Sequence, residues 1–293
     1  MRHFGRILTA MVTPFNNDGS VNYGEAVKLA QYLVNNGSDG LVVTGSTGEA
    51  ATLTKEEKVK LYTTVLEAVG DRATVIAGTG SNDTRDSVEL TKIAEQTGVH
   101  GAMVVAPYYN KPPQEGLFQH FRAIAESTAL PLIVYNVPGR TSSNILPDTV
   151  ARLAELKNIA AVKEASGSME QVSEIIRITP KDFLVYSGDD ALTLPVLAVG
   201  GQGVISVAAH IVGRRMQAMV NAFYDGDMVK ARDLHLELLP FFRVIFVTTN
   251  PIPVKEAVNL IGIKAGPVRL PLVPPTAGET AQLTKVMQSL GVL

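Results

Sequence analysis

The sequence Ile159-Ala160-Ala161-Val162-Lys163-Glu164-Ala165 joins a short, continuously apolar run to a lysine and a glutamate. Seven other short runs of this kind occur along the chain, and most are rich in Val and Ile instead of alternating with polar residues. Such runs are typical of parallel strands that are covered on both faces. The predicted strands are Ile7–Val12, Gly40–Val43, Thr74–Ala77, Ala102–Ala106, Leu132–Tyr135, Ile159–Val162, Leu184–Tyr186 and Gly203–Val207.

Segments with helical spacing of apolar residues lie between the strands. Thr54 stands three residues before Glu57, which predicts a capping box at the start of one helix. Eight strands that alternate with helices over about 225 residues match the size of a (β/α)8 TIM barrel, and a doubly wound open sheet is the alternative. The predicted helices are Glu25–Val34, Lys55–Val69, Thr84–Gln96, Gln114–Ser127, Pro147–Leu156 and Met169–Ile176.

The C-terminal part of the chain differs from the repeating units. It has helical stretches and two proline-rich breaks, at Pro251–Pro253 and Pro271–Pro275. We therefore predict a (β/α)8 barrel over residues 1–226 and a helical C-terminal extension over residues 227–293.

Composition and charge exclude several classes of function. The chain has 26 Lys+Arg against 28 Asp+Glu, so a nucleic-acid-binding surface is not expected. It has no cysteine, and its histidines are widely scattered, so no metal site is predicted. The start, Met1–Arg6, is too polar for a secretory signal, and no apolar run is long enough to span a membrane. We expect a cytoplasmic protein.

Lys163 is the sharpest chemical signal, because it directly follows a predicted buried strand. The period of two places residues 159, 161 and 163 on one face. If that face is the barrel interior, desolvation lowers the lysine pKa from about 10.4 to nearer ~7–8 and leaves a free amine to attack a carbonyl. The alternative is a solvent-exposed lysine at a strand end. Tyr135 ends the preceding strand and is a candidate proton carrier beside Lys163.

Other strand ends carry candidate binding groups, because the active site of a TIM barrel lies at the C-terminal ends of its strands. Thr44-Gly45-Ser46-Thr47-Gly48-Glu49 suits a carboxylate or phosphate, and Arg140 can bind a carboxylate through two N–H bonds. Tyr108 and Tyr109 lie in a stiff, proline-rich loop. Gly188 and Ile205 close strands 7 and 8. Each group has a purely structural alternative. The Thr44–Glu49 segment could be an ordinary turn and Arg140 a solvated arginine. The tyrosines could serve loop packing, and Gly188 and Ile205 plain barrel packing.

These stretches together resemble the dihydrodipicolinate synthase family, within the class I pyruvate aldolase superfamily. The resemblance covers essentially the whole chain. The motifs that carry it are Gly45-Ser46-Thr47-Gly48-Glu49, Pro107-Tyr108-Tyr109-Asn110, Tyr135-Asn136-Val137-Pro138-Gly139-Arg140-Thr141, Lys163-Glu164-Ala165 and Asn250-Pro251-Ile252-Pro253-Val254-Lys255.

The resemblance implies a role for each candidate residue. Lys163 forms an imine with pyruvate, and Thr47 with its backbone holds the pyruvate carboxylate. Tyr135, Ser46 and Tyr109 form a proton relay, with Tyr109 donated by a neighbouring subunit. Three further residues complete the expected pocket: Arg140 binds the carboxylate of L-aspartate 4-semialdehyde, and Gly188 and Ile205 line the pocket through their backbones.

The resemblance also implies the reaction and the assembly. Pyruvate and L-aspartate 4-semialdehyde are the expected substrates, 4-hydroxy-tetrahydrodipicolinate in lysine (diaminopimelate) biosynthesis is the product, and no cofactor is needed because the imine is the electron sink. A homotetramer, a dimer of dimers, is expected. The Gly-Ser-Thr-Gly-Glu loop also occurs in N-acetylneuraminate lyases. The alternative function is therefore that of a related pyruvate aldolase, such as an N-acetylneuraminate lyase or a 2-keto-3-deoxy sugar acid aldolase. Arg140 favours the synthase.

Two functions from other classes have less support in the sequence. A phosphate-binding barrel isomerase needs a glycine-rich phosphate cup after strands 7 and 8, whereas Gly200-Gly201-Gln202-Gly203 precedes strand 8. A non-catalytic binding barrel predicts no covalent adduct, whereas the aldolase readings all predict one.

Two departures from the family pattern affect function. Ser46 stands where threonine is usual; it keeps the hydroxyl, but its χ1 angle is less restricted. Lys55 and Lys58 occupy the positions of two histidines in the lysine-binding site of some members, while Asn82 and Tyr108 are retained.

We predict weak or absent feedback inhibition by L-lysine, because two cationic side chains repel a cationic ligand. Steady-state inhibition by added L-lysine measures this. An inhibition constant in the submillimolar range contradicts it.

Overall fold

The computed structural model describes residues 4–293, so Met1–His3, at the start of the segment judged too polar for a signal, lie outside the described residues. Eight parallel strands form a closed barrel in sequence order, and the pair Ile7↔Val204 closes it between the first and last strands. The predicted TIM barrel is thereby confirmed. The strands are β1 (Ile7–Ala10), β2 (Gly40–Val43), β3 (Thr74–Gly78), β4 (Gly101–Val105), β5 (Leu132–Asn136), β6 (Ile159–Glu164), β7 (Leu184–Ser187) and β8 (Gly203–Ser206).

Helices surround this barrel and continue beyond it. The predicted capping box is present at the second helix, where the Thr54 side chain accepts from the Glu57 N–H and the Glu57 side chain accepts from the Thr54 N–H. The helices are α1 (Tyr23–Asn35), α2 (Lys55–Val69), α3 (Thr84–Thr97), α4 (Gln114–Glu126), α5 (Pro138–Thr141), α6 (Pro147–Ala154), α7 (Met169–Ile178), α8 (Thr193–Ala198), α9 (Ala209–Tyr224), α10 (Met228–Val244), α11 (Ile252–Leu260) and α12 (Ala277–Ser289).

The strand residues form two apolar layers, which explains why the strand sequences are continuously apolar. One layer fills the barrel interior and the other packs beneath the helices. Successive side chains of a strand point to opposite faces, so a strand covered on both sides must be apolar at every position. The interior layer contains Leu8, Val42, Ile76, Met103, Ile133, Tyr135, Ala161, Tyr186 and Ile205.

The prediction that residues 159, 161 and 163 share one face is wrong at residue 159. The pairing of β5 with β6 shifts between Leu132 and Ile133, whose partners are Ile159 and Ala161, so Ala160 is an extra residue in β6. Such a β-bulge breaks the period of two. Ile159 consequently packs in the outer layer, while Ala161 belongs to the interior layer.

Helices α10–α12 occupy the region predicted as a C-terminal extension. Helix α10 packs along α9, and apolar residues such as Phe241, Val258 and Met287 join the same apolar cluster as the outer layer of the barrel. The extension therefore shares one core with the barrel, and the division at residue 226 stays a prediction.

Candidate active site

A cavity of about 440 Å³ opens at the C-terminal ends of the strands, where a TIM barrel carries its chemistry. Three predicted site residues, Ser46, Tyr135 and Arg140, line it together with Lys58, Tyr108 and Asn250. A larger cavity of about 770 Å³ lies at the opposite end of the barrel, between the segments that precede β5, β6 and β7. None of the predicted site residues, all within the described part of the chain, lines the larger cavity.

Lys163 and Tyr135 meet on neighbouring strands. They are paired in register between β5 and β6, and the Lys163 Nζ lies 4.1 Å from the centroid of the Tyr135 ring. Both side chains are buried. Tyr135 lines the cavity directly, whereas Lys163 packs against the face of its ring. An aromatic face attracts an amine or a cation at this distance, so the contact fixes where the nitrogen lies.

Gly188, the residue after β7, is packed against Lys163. A Cβ atom at residue 188 would lie 3.2 Å from the Lys163 Cε and 2.6 Å from the Cβ of Ala165. Only glycine fits without displacing the lysine side chain. Gly188 therefore packs beside the Lys163 side chain, although it does not line the cavity.

Burial sets the protonation of this pair. Desolvation lowers the pKa of Lys163 to about 7; the Asp190 carboxylate opposes the shift and Arg140 adds to it. Desolvation raises the pKa of Tyr135 to about 12, and Arg140 opposes that shift. At neutral pH a large fraction of Lys163 is thus a neutral amine, while Tyr135 keeps its proton and can donate it.

Asp190 is a buried acid for which no sequence pattern indicated a role. Its carboxylate accepts hydrogen bonds from the Ser206 hydroxyl and from the N–H groups of Val207 and Ala208, at 3.1 and 2.9 Å for the two N–H groups. Burial raises its pKa to about 6. Asp190 ties the turn after β7 to the end of β8 and supplies negative charge near Lys163.

The turn after β2 has a constrained backbone. Thr44 has φ +56°, which is rare for a β-branched residue, and its hydroxyl lies 3.1 Å from the Gly78 carbonyl oxygen. A Cβ at residue 78 would lie 2.4 Å from the Thr44 oxygen, so glycine is required there. This close approach places Ser46 on the cavity wall and Thr47 behind it, fully buried.

The C-terminal extension holds that turn in place. The Asn250 Nδ2 donates to the Thr47 Oγ1 at 2.9 Å. The Glu49 carboxylate accepts from the Lys255 Nζ and from the Arg269 backbone N–H, both at 2.8 Å. The Glu49–Lys255 ion pair is almost completely buried, with side-chain exposures of 1% and 2%. Sequence reasoning had no physical signal for these contacts, because they join residues about two hundred positions apart.

Arg140 projects from the single turn α5 to the rim of the cavity. Its Nη2 donates to the Asn250 carbonyl oxygen at 3.0 Å. Its other guanidinium donors face the cavity region without a carboxylate partner among residues 4–293. The arginine is therefore oriented by one backbone contact and open to bind an anion.

The remaining predicted residues lie outside the cavity of the single chain. Ile205 is in the interior layer of the barrel, paired with Leu8. Tyr109 is 88% exposed, with φ +73°, and does not line the cavity, whereas Tyr108 does. Because its phenol lies in solvent and outside the cavity, Tyr109 is not placed to take part in chemistry within its own chain.

Lys55 and Lys58 differ in their surroundings. The Lys55 Nζ lies 2.8 Å from the Glu89 Oε1 in an exposed ion pair. Lys58 lines the cavity, and burial lowers its pKa, with Asp86 opposing.

Two kinds of feature are absent from residues 4–293. That part of the chain contains no group of three or more His, Cys, Asp or Glu side chains arranged to hold a metal ion. It also contains no helix that is long and apolar enough to cross a membrane.

Known proteins resemble the chain over its whole length. The 4-hydroxy-tetrahydrodipicolinate synthase of Desulforamulus reducens is 58% identical over 291 residues, which cover 99% of this chain and 98% of that protein. The synthase of Moorella thermoacetica is also 58% identical, and the match covers 99% of each chain. The crystal structure of a dihydrodipicolinate synthase from Bacillus anthracis superposes with a TM-score of 0.97 at 52% identity, covering 99% of each chain.

The family assignment agrees with these relatives. The pattern of the dihydrodipicolinate synthetase family matches residues 3–290. With a closed parallel barrel, a buried lysine at its mouth and relatives that are more than half identical, the chain belongs to the dihydrodipicolinate synthetase family.

Proposed function

We propose that this chain condenses pyruvate with L-aspartate 4-semialdehyde through a Schiff base on Lys163 and releases 4-hydroxy-tetrahydrodipicolinate. One observation carries the proposal. The Lys163 amine is buried on the face of the Tyr135 ring at the active end of the barrel, with its pKa lowered to about 7. The names of the most similar relatives support the choice of substrates.

The chemistry begins with the neutral amine. Nζ attacks C2 of pyruvate, the carbonyl oxygen leaves as water, and a cationic imine remains. Loss of a proton from C3 gives an enamine, which bonds to the aldehyde carbon, whose oxygen takes up a proton. The free amine of the second substrate then bonds to C2 and passes its two protons to Nζ. The bond from this amine to C2 closes the ring, and the breaking of the C2–Nζ bond then frees Lys163.

Each site residue has a role in these steps. Tyr135, protonated at neutral pH, donates the proton that converts the carbonyl oxygen into a leaving group. Ser46 and Tyr109 carry protons between Tyr135 and solvent, and Thr47 with its backbone binds the pyruvate carboxylate. Arg140 binds the carboxylate of the second substrate through its free N–H groups. The role proposed for Gly188 and Ile205 is to support the pocket from behind, Gly188 beside Lys163 and Ile205 in the interior layer, since neither lines the cavity of the single chain.

Substrate choice is tested by a coupled assay. We expect turnover with pyruvate and L-aspartate 4-semialdehyde, because Arg140 is open to a carboxylate at the cavity rim, and no cleavage of N-acetylneuraminate. The assay follows product formation from the aldehyde, with the sugar acid in a parallel reaction. Turnover of N-acetylneuraminate at a comparable rate contradicts the assignment.

The covalent step is tested by reductive trapping. Borohydride added with pyruvate should fix an adduct on Lys163, identified by peptide mass spectrometry, and Lys163→Ala should abolish it. Lys255 is an internal control, since it is equally buried but paired with Glu49, and it should stay unmodified. An adduct elsewhere, or none, removes Lys163 from the mechanism.

The trapping rate should also follow the protonation of Lys163. Because the group is cationic below its pKa and only the neutral amine attacks, the rate should rise with pH and reach half its maximum near pH 7. Cyanoborohydride, which is stable at neutral pH, suits this measurement. A half-maximal rate near pH 10 indicates an unshifted, solvent-exposed lysine.

Tyr109 requires at least a dimer for its proposed role, because it is 88% exposed in the single chain. A homotetramer is our proposal for the assembly. Family membership alone does not give it, since a solved relative that is 42% identical is a monomeric dihydrodipicolinate synthase variant. The expected cytoplasmic location likewise stays a prediction.

Tyr109→Phe should lower turnover by about 10²-fold or more, because a proton carrier is lost. Tyr224→Phe is a matched control, since Tyr224 is also partly exposed but bonds to the Gln202 carbonyl, at the start of β8. The measurement is kcat in the coupled assay. Near-normal turnover removes Tyr109 from the relay.

Subunit mixing shows whether Tyr109 acts across an interface. In a mixed dimer of Tyr109→Phe and Lys163→Ala chains, one site combines an intact lysine with an intact tyrosine from the partner. Random mixing should restore about a quarter of the wild-type activity. If Tyr109 acts within its own chain, no activity returns.

A further inference from the structure

Asn250 contacts both groups that we assign to substrate carboxylates. It lies immediately before Pro251 and α11, is 6% exposed and lines the cavity. Its side-chain Nδ2 donates to the Thr47 Oγ1 at 2.9 Å, and its backbone oxygen accepts from the Arg140 Nη2 at 3.0 Å. Asn250 is thus positioned between the two predicted anion-binding groups.

The side-chain oxygen of Asn250 has no hydrogen-bond partner among residues 4–293. Three other buried side-chain atoms in that part of the chain share this property, but none of their residues lines the cavity. With the Nδ2 donating to the Thr47 Oγ1, the Oδ1 is the polar atom of this amide that is left without a donor among residues 4–293. A buried acceptor without a donor is costly, and at a ligand cavity the donor is expected to come from the ligand.

The chemistry of the acceptor identifies the ligand group. An amide oxygen accepts hydrogen bonds and cannot donate them, so it disfavours a carboxylate and favours an N–H group. The proposed second substrate carries an ammonium on the same carbon as the carboxylate assigned to Arg140. The Arg140 Nη2 is 3.0 Å from the backbone oxygen of Asn250. A substrate whose carboxylate binds Arg140 therefore brings its amine close to Asn250.

We propose that the Asn250 Oδ1 accepts a hydrogen bond from the α-amino group of the aldehyde substrate and makes the site selective for an α-amino aldehyde. The inference rests on the proposed function. Asn250 also gains a role in the ring closure, because the amine must reach C2 of the pyruvate unit. C2 is bonded to the carboxylate assigned to Thr47, whose hydroxyl Asn250 contacts.

The test compares two aldehydes that differ only in the amine. L-Aspartate 4-semialdehyde has the α-amino group, and succinic semialdehyde has the same carboxylate and aldehyde without it. The measured quantity is the ratio of kcat/KM for pyruvate-dependent consumption of the two aldehydes. The ratio cancels any general loss from disturbing Thr47 or Arg140, because both aldehydes share those contacts.

Two variants separate the acceptor from the rest of the side chain. Asn250→Leu removes the acceptor while keeping the same branching at Cγ, and it should lower the ratio about tenfold or more, since a hydrogen bond to a charged group is lost. Asn250→Asp keeps an acceptor oxygen, and its second oxygen can accept from the Thr47 hydroxyl. It should retain or raise the ratio. Asn259→Leu is a control for loosening of the extension, since the Asn259 side chain bonds the Gly266 backbone in the same region, and it should leave the ratio unchanged.

Several outcomes overturn the inference. An unchanged ratio in Asn250→Leu, or an equal fall in Asn250→Asp, shows that the oxygen does not bind the amine. The wild-type protein alone also provides a test if the leucine variant does not fold, because its ratio must then exceed about ten. Failure of the wild type to consume either aldehyde instead contradicts the proposed function.

Discussion

The removal of one lysine side chain from water is the constraint on which the site depends. A shift of the Lys163 pKa from 10.5 to about 7 corresponds to a free energy on the order of 5 kcal/mol between its two protonation states. The folded protein is destabilised by up to this free energy at a pH where the same lysine would be charged in the unfolded chain. This penalty is sustained because the barrel is closed and its interior layer is apolar, so that the buried nitrogen gains little solvation from water.

The surrounding groups moderate this desolvation. The Tyr135 ring lies against the Lys163 Nζ, and the Asp190 carboxylate provides negative charge. Asp190 is itself held by the end of β8, so its charge is fixed in place. Apolar burial favours the free amine that starts the reaction, and the fixed carboxylate and aromatic face favour the cationic imine that follows. The same site therefore suits both charge states of the nitrogen.

The C-terminal extension acts on the site from a distance in the chain. Glu49 has φ +57°, an unfavourable conformation for a non-glycine residue, and its carboxylate is bound by Lys255 and by the Arg269 backbone. A buried ion pair adds little net stability, but removing one partner leaves an uncompensated charge. The pair therefore serves to hold the loop conformation. Asn250 contacts both Thr47 and Arg140, so the extension determines the spacing of the two groups that we propose to bind carboxylates.

Local patterns in the sequence were enough to predict the barrel and to select Lys163 as the candidate nucleophile. Eight apolar runs separated by helical periodicity allow few folds other than a closed parallel barrel, because each strand must be covered on both faces. The position of Lys163 after one such run, with Tyr135 after the preceding run, also placed the two side chains on neighbouring strands, because consecutive strands of a barrel are adjacent. These features depend on local pattern and chain order, which the sequence displays directly.

The remaining features depend on how distant segments of the chain pack together. The bulge at Ala160 depends on how β6 pairs with β5, and the period of two gave no sign of it. The contacts of Asp190 with β8, of Lys255 with Glu49 and of Asn250 with Thr47 join segments that are remote in the chain. The exposure of Tyr109 depends on which surfaces a single chain leaves open. Long-range contacts of this kind arise from three-dimensional packing, which local periodicity does not encode.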